Sequence, residues 1–410
     1  MPIGLFFELL SYMLIAAVAQ MQEWVERARV LAPVVEQYRD EGEEQRHLPK
    51  PVVQAMRQAG LFSLWMPRAL GGAQVDIETS VRVTEELSRQ DGSVGWNSMI
   101  AGNTSLLWGY IAHAAAARCI HGDPTTVLAG TVGGGGDAAA PGGGVATPVP
   151  GGYRLTGRWP FASGCHQADW LVANGRIIEH GAPRRTPEGA IGLFSFILPI
   201  TDCHILDTWY TTGLRGTGSH HFEATDAFVP QERVFSSINP QPYQPGSLYT
   251  TLRTTPWAPN VAAVALGLGR DAIDTFLAIA RTKPAARTRA SLRDRETIHL
   301  RVGKAEARLR SARAFLLETV REVDACINRA EDVPDALAAL TRCAASNATE
   351  SAAAVVDTMF TAAGSSSIYS TSRLDRCFRD VHMVTQHVVG GLAGFTLAGR
   401  YFMGLGMPGV

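Results

Sequence analysis

Seven residues with a period of two, Tyr153 to Trp159, stand in the middle of a chain whose two ends read with the period of a helix. Tyr153, Leu155, Gly157 and Trp159 alternate with Arg154, Thr156 and Arg158, the pattern of a strand with one face in a core. Gly151 and Gly152 open the run with backbone that turns at no steric cost, and Pro160 ends it. Strands of this kind between long helical tracts exclude a plain bundle and a plain sandwich. They predict an α+β chain, mostly helical. Ser163 follows at once between Ala162 and Gly164, where small residues let backbone approach a ligand.

The first third reads as helix. Apolar residues recur at helical spacing from Met21 to Tyr38, Val52 to Ala59 forms a second helix behind Pro49 and Pro51, and Asp76 caps a third whose inner face is Val81, Thr84, Leu87 and Ser88. Gly95 to Ala112 and Ala114 to Ile120 continue the pattern. The character changes at Val127. Gly133–Gly136 and Gly142–Gly144 flank an Ala-rich stretch without periodicity, a loop that lacks the G-x-x-x-x-G-K-[ST] of a phosphate cradle. Further strands are predicted at Trp170–Ile177, Ile191–Pro199, His204–Thr212 and Phe222–Val229, a small barrel or sandwich. From Pro256 the chain returns to helix in four long segments: Val261–Ala280, Asp294–Arg329, Pro334–Gly364 and Leu374–Leu405, the makings of a four-helix bundle. The divisions are therefore an apolar extension at 1–20, an N-terminal helical domain at 21–126, a middle β-domain at 127–238 and a C-terminal helical bundle at 239–410.

At 410 residues with 46% hydrophobic and 18% charged residues, the chain has ample core, and a formal charge of −1 offers nothing to nucleic acid or acidic lipid. Six scattered cysteines without a C-x-x-C pair argue against a disulfide framework or zinc site and fit a reducing cytoplasm. The apolar run within residues 1–20 lacks a basic flank, contains Glu8 and is too short for a bilayer span, so no stable membrane association is expected. Ser163, His166 and Asp169 invite a hydrolase reading, but no G-x-S-x-G elbow supports it. His220 and His221, adjacent on an alternating segment, point to opposite sheet faces, and His382 and His387 are badly spaced for one helix face; no metal site is expected.

Two blocks, Gly151 to Gly164 and Asp207-Thr-Trp-Tyr-Thr-Thr-Gly-Leu-Arg-Gly-Thr-Gly-Ser-His-His-Phe222, together with Leu48 to Phe62 and Phe378-Arg-Asp-Val-His-Met-Val-Thr-Gln-His387, carry a family resemblance. They resemble the acyl-CoA dehydrogenase fold and, more narrowly, the oxygenase components of two-component flavin-dependent monooxygenases such as p-hydroxyphenylacetate hydroxylase, the secosteroid hydroxylases and dibenzothiophene monooxygenase. The resemblance implies reduced FMN or FAD and dioxygen as co-reactants, a C4a-hydroperoxyflavin, and hydroxylation of a small aromatic or heteroaromatic substrate. It also implies a homotetramer. No G-x-G-x-x-G nicotinamide fingerprint is present, so the flavin would be reduced by a separate NAD(P)H-dependent flavin reductase. The dehydrogenase members need a carboxylate to abstract a proton; Gly364 to Leu374 holds neither Glu nor Asp, which favours the oxygenase branch. Oxygenation at nitrogen or sulfur (indole, amino sugar or thiophene type), an acyl-CoA dehydrogenase with a displaced base, and an inactive flavin-binding member are the alternatives.

The resemblance also implies roles for single residues. Ser163 would stand at the reactive edge of the flavin, and His387, with His382 second, would accept a phenol proton or orient the peroxide. Phe161, Trp209, Trp96 and Asn97 would wall the flavin, and Arg287 (or Arg289) and Arg379 would reach it as cations.

Overall fold

The computed structural model describes residues 17–131, 143–238, 240–250, 257–283 and 291–407. Where periodicity over Met21 to Tyr38 predicts one helix, there are two, α1 (residues 17–29) and α2 (Ala32–Gln45). Pro33 sits in the first turn of α2, the one place where its missing N–H costs nothing, and so restarts the helix. α3 (Lys50–Gln58) follows. Asp76 caps α4 (Ile77–Gln90) by accepting from the Thr79 amide at 2.7 Å, and Val81, Thr84, Leu87 and Ser88 are buried. Asp91 does the same for α5 (Gly92–Ser105), accepting from Ser93 and Val94. α5 is buried on nearly every side, so the side chains it presents serve interior surfaces only. α6 (His113–Ile120) closes the helical third.

Among the described residues all strands lie between Leu128 and Ser236: β1 (Leu128–Gly130), β2 (Gly144–Val149), β3 (Gly152–Trp159), β4 (Trp170–Glu179), β5 (Ala182–Pro183), β6 (Phe194–Pro199), β7 (His204–Leu206), β8 (His221–Pro230) and β9 (Val234–Ser236). They form one nine-stranded sheet in the order β7-β8-β3-β2-β4-β6-β9, with β1 and β5 also pairing to β4. β3 behaves as its alternation predicts: Tyr153, Leu155 and Trp159 are buried while Arg154, Thr156 and Arg158 are exposed. Trp159 stacks on Phe222 of β8 at 4.9 Å and donates to the Asn174 carbonyl at 2.7 Å. Two expectations fail. β2, whose Gly-rich entry reads as loop, pairs antiparallel with β3 across Pro150 and Gly151. β7 stops at Leu206 rather than Thr212, because residues 207–218 leave the sheet to form a loop. Gly133–Gly136 lies outside the described residues.

The C-terminal helices are α7 (Trp257–Thr282), α8 (Glu296–Asn328), α9 (Asp335–Ala363), α10 (Arg373–Thr385) and α11 (Ala393–Arg400). α7 is the axis, packing against α9 and α10 and also against α4 and α5. The fourth predicted segment, Leu374 to Leu405, is not continuous: α10 ends at Thr385 and an irregular stretch precedes α11. Gly390 sits there so close to α7 that a Cβ would meet Val261 at 2.8 Å. This break sets His387 at a helix end instead of along a helix face. The cysteines are free, and among the described residues no helix is long and apolar enough to cross a membrane.

Candidate active site

Two loops are zipped together beside α5. The Ala162 amide donates to the His220 carbonyl at 2.9 Å and the Gly164 amide to the Thr217 carbonyl at 3.0 Å. Phe161 is held at a positive φ of 60°, a conformation that non-glycine residues rarely adopt, and its ring stands 61% exposed. Trp209 and His221 meet it edge-on, at 6.4 and 6.0 Å. Trp209 is half-buried and donates from Nε1 to the Leu214 carbonyl at 3.0 Å. His220 is buried and turned the other way, accepting at Nδ1 from the Thr208 amide at 3.1 Å, so the two histidines do face opposite sides.

Ser163 is buried and belongs to a chain of hydrogen bonds. Trp96 Nε1 lies 3.0 Å from Ser163 Oγ, which lies 2.6 Å from Ser219 Oγ. Ser219 Oγ is 2.7 Å from Thr217 Oγ1, which lies 2.8 Å from the Leu214 carbonyl. The ends fix its direction. An indole N–H only donates and a carbonyl only accepts, so Thr217 gives its proton to Leu214, Ser219 to Thr217, and Ser163 to Ser219. The Ser163 oxygen therefore has one lone pair left to present and no free proton. This arrangement suits a ligand that donates, such as the ring N–H of a reduced flavin. It does not suit donation from Ser163 to a bound oxygen species, unless the whole chain turns.

His387 meets the same tryptophan, its ring edge-on to Trp96 with centroids 5.5 Å apart. Burial, and secondarily the positive charge of Arg342 on α9, push its pKa down to about 4, so the imidazole is neutral at neutral pH. Nδ1 accepts from the Val389 amide at 3.4 Å, leaving Nε2–H as a donor. The tautomer supports orienting an oxygen more readily than accepting a proton.

The structure brings together Trp96, Ser163 and His387, with Phe161 two residues before Ser163 and Trp209 edge-on to Phe161. Of the other sequence candidates, Asn97 lies next to Trp96 and beside Gly164, while His382 and Arg379 lie on α10. His382 lies on α10, 3.0 Å from Asp357 of α9, in a pair exposed on both sides. Asn97 is spent on structure: its Nδ2 donates to the Ser93 carbonyl at 2.9 Å, and its Oδ1 accepts from Gln167 at 2.7 Å. Arg379 is likewise committed, to Glu43 at 2.6 Å, to Asp375 at 2.8 Å and to the Thr212 carbonyl. Beside it Asp380 is buried and accepts from the Leu214 amide at 2.6 Å. Burial and the neighbouring Asp91 push its carboxyl pKa up to about 8. Any side chain at Gly213 would collide with the Arg379 carbonyl, which explains the glycine there. Arg287 and Arg289 lie outside the described residues.

Sequence reasoning missed Thr217 and Ser219, although both stand in the Gly-Thr-Gly-Ser block, and missed Arg342 altogether. Aromatic walls, one buried lone pair and a neutral imidazole fit a flat ring system with polar edge atoms. Among the described residues no cluster could hold a metal ion.

Known proteins resemble the chain along almost its whole length. Residues 17–118 match the acyl-CoA dehydrogenase N-terminal domain and residues 260–390 its C-terminal domain. Indole-3-acetate monooxygenase of Pseudomonas putida is 30% identical over 370 residues, 89% of each chain. The flavin-dependent monooxygenase oxygenase subunit HsaA of Mycobacterium tuberculosis is 28% identical over 87% of this chain and 89% of its own. Among solved structures, XiaF from Streptomyces in complex with FADH2 and glycerol superposes with a TM-score of 0.87, at 28% identity, over 96% of this chain and 98% of XiaF.

Proposed function

We propose, from the premise that this chain belongs to the acyl-CoA dehydrogenase family and is an oxygenase component among its flavin-dependent monooxygenases, that it hydroxylates a small aromatic or heteroaromatic molecule between Trp96, Ser163 and His387. Reduced flavin and dioxygen are its co-reactants, and the flavin is reduced by a separate reductase. When bound, reduced flavin supplies the two electrons that split dioxygen, one atom going to the substrate and one to water. The chain's own residues do the rest. Ser163, pinned by Trp96 and Ser219, offers a fixed acceptor to a ring N–H. Phe161, Trp209 and Trp96 supply apolar surface that excludes water. His387 donates from Nε2 to an oxygen of the substrate and stays uncharged while doing so.

The observation that carries this reading is that Ser163 and His387 both contact Trp96, although they come from distant parts of the chain. On the same reading the protein is a cytoplasmic homotetramer, divided as 21–126, 127–238 and 239–410 with an extension at 1–20; free cysteines support a reducing compartment. An oxygen electrode tests the assignment. The purified chain with NADH, FAD and an aromatic substrate is expected to consume no oxygen until a flavin reductase is added. Robust NADH oxidation by the chain alone rules out the two-component scheme. Ser163→Ala, which removes one hydrogen-bonding group worth about 1–3 kcal/mol, is expected to bind reduced flavin more weakly and to release more hydrogen peroxide per product.

A further inference from the structure

Arg342 is 8% exposed, with its Nε sealed from solvent and without a hydrogen-bond partner. No ion pair joins it to any described residue, and burial alone shifts its pKa, downward. A guanidinium nitrogen taken out of water without a partner is costly for a fold to hold. Its place on α9 is not arbitrary. Ser346, one turn on, donates to the Gly391 carbonyl at 2.6 Å, and Thr349, a further turn on, lies against Gly390. The 342–346–349 face is therefore the one that meets the stretch following His387. The charge of Arg342 reaches His387, and no carboxylate among the described residues acts on either group.

His387 adds a second donor, because its Nδ1 is occupied by the Val389 amide and its Nε2 carries the hydrogen. Both groups are donors, one of them cationic, and neither the Arg342 Nε nor the His387 Nε2 has an acceptor among the described residues. Val388 and Leu392, 72% and 74% exposed, add apolar surface to the same stretch. We propose that Arg342 and His387 form an oxyanion subsite that holds the carboxylate or phenolate of the aromatic substrate, a reading that rests on the monooxygenase assignment above. An anion seated there satisfies the guanidinium and also cancels its field on His387, so the imidazole becomes more basic when substrate binds. The subsite thus reports occupancy to the residue that orients the reacting oxygen.

The test is anaerobic binding to the protein loaded with reduced FAD. The probes are matched pairs, aryl carboxylates with their amides and phenols with their methyl ethers, across one- and two-ring arenes including indole-3-acetate and its amide. At least one anionic member is expected to outbind its neutral partner by about 10- to 100-fold. Arg342→Gln is expected to collapse that ratio while leaving the neutral partner's affinity unchanged, and Arg342→Lys to restore part of it. Should Arg342→Gln not fold, NMR titration of the wild-type His387 imidazole decides: its pKa rises with the anion bound and not with the neutral partner. Equal binding within every pair, or a ratio unaltered by Arg342→Gln, overturns the subsite. So does a loss of affinity for reduced FMN but not reduced riboflavin in Arg342→Gln, which would assign the arginine to the flavin phosphate. Failure of the wild type to bind reduced flavin at all is a separate outcome and defeats the parent assignment itself.

Discussion

Arg376 on α10 and Arg342 on α9 are buried almost equally, 9% and 8% exposed, and the fold treats them in opposite ways. Arg376 is surrounded: Asp40 at 2.8 Å, the Arg39 carbonyl at 3.3 Å, and Asp91 and Glu43 within 4 Å. Arg379 and Asp380 extend this knot to Glu43, Asp375 and the backbone of Thr212 and Leu214, tying α10 to α2, to the start of α5 and to the 207–218 loop. Arg342 has none of this. A paired charge holds the helices and the loop in register. An unpaired one, equally hidden, adds nothing to that register, and its use lies in what it binds. The Arg-Asp signature of this chain is thus architectural, and the charge that serves chemistry sits on a different helix.

The largest effect that would break this comparison is on stability. Arg376→Met leaves Asp91 buried without its main counter-charge and is expected to cost about 3–5 kcal/mol. Arg342→Met, which removes a charge that nothing pairs, is expected to be neutral within about 1 kcal/mol or stabilising. Urea unfolding of both variants reads the difference, and equal losses would show that Arg342 has a hidden structural partner.

The second contrast is between the two histidines. His387→Gln is expected to lower hydroxylation about 100-fold with reduced-flavin binding retained. His382→Gln removes an exposed pair with Asp357, worth about 0–1 kcal/mol, and an edge-on contact with Phe378, and product formation is expected to stay within about twofold of wild type. Single-turnover product yields separate the two, and a comparable loss in both would return His382 to the site.

A smaller effect sharpens the architectural half. The Asp380 carboxyl, pushed up to about 8 from an ordinary 3.8, keeps its proton in the folded chain where the unfolded chain has lost it. The folded state then binds more protons between roughly pH 4 and 8, so stability falls as pH rises through that window. Asp380→Asn still accepts from the Leu214 amide and is expected to remove up to about 1.4 kcal/mol per pH unit of that slope. Urea midpoints at several pH values measure it, and an unchanged slope would place the proton on another group.

The sequence was most legible where one short-range rule decides the outcome. Alternation alone marks β3, and a carboxylate ahead of an apolar period marks Asp76. It was least legible where a long-range contact decides. In the irregular stretch after α10, Val261 of α7 leaves no room for a side chain at Gly390, and the residues flanking Gly390 do not record that. Ser163, Trp96 and His387 are candidates through a resemblance between blocks, since an isolated serine or histidine in a loop carries no distinguishing pattern. Within Phe378-Arg-Asp the resemblance points to Arg379 as a cation for the cofactor, and the fold also binds Arg379 to Glu43 and Asp380 to the Leu214 amide. Arg342 left no trace in the sequence, being one cation in an Ala-rich helix whose surroundings are assembled from α9 and the stretch after α10.

The hydrogen-bond chain from Trp96 to Leu214 also limits what descent can alter. Each interior member must donate once and accept once, so only serine and threonine can exchange freely at positions 163, 217 and 219. An alanine at any of them strands a proton on one side and a lone pair on the other. Lineages that drift in this part of the fold should therefore swap hydroxyl for hydroxyl, or lose the indole N–H and all three hydroxyls together.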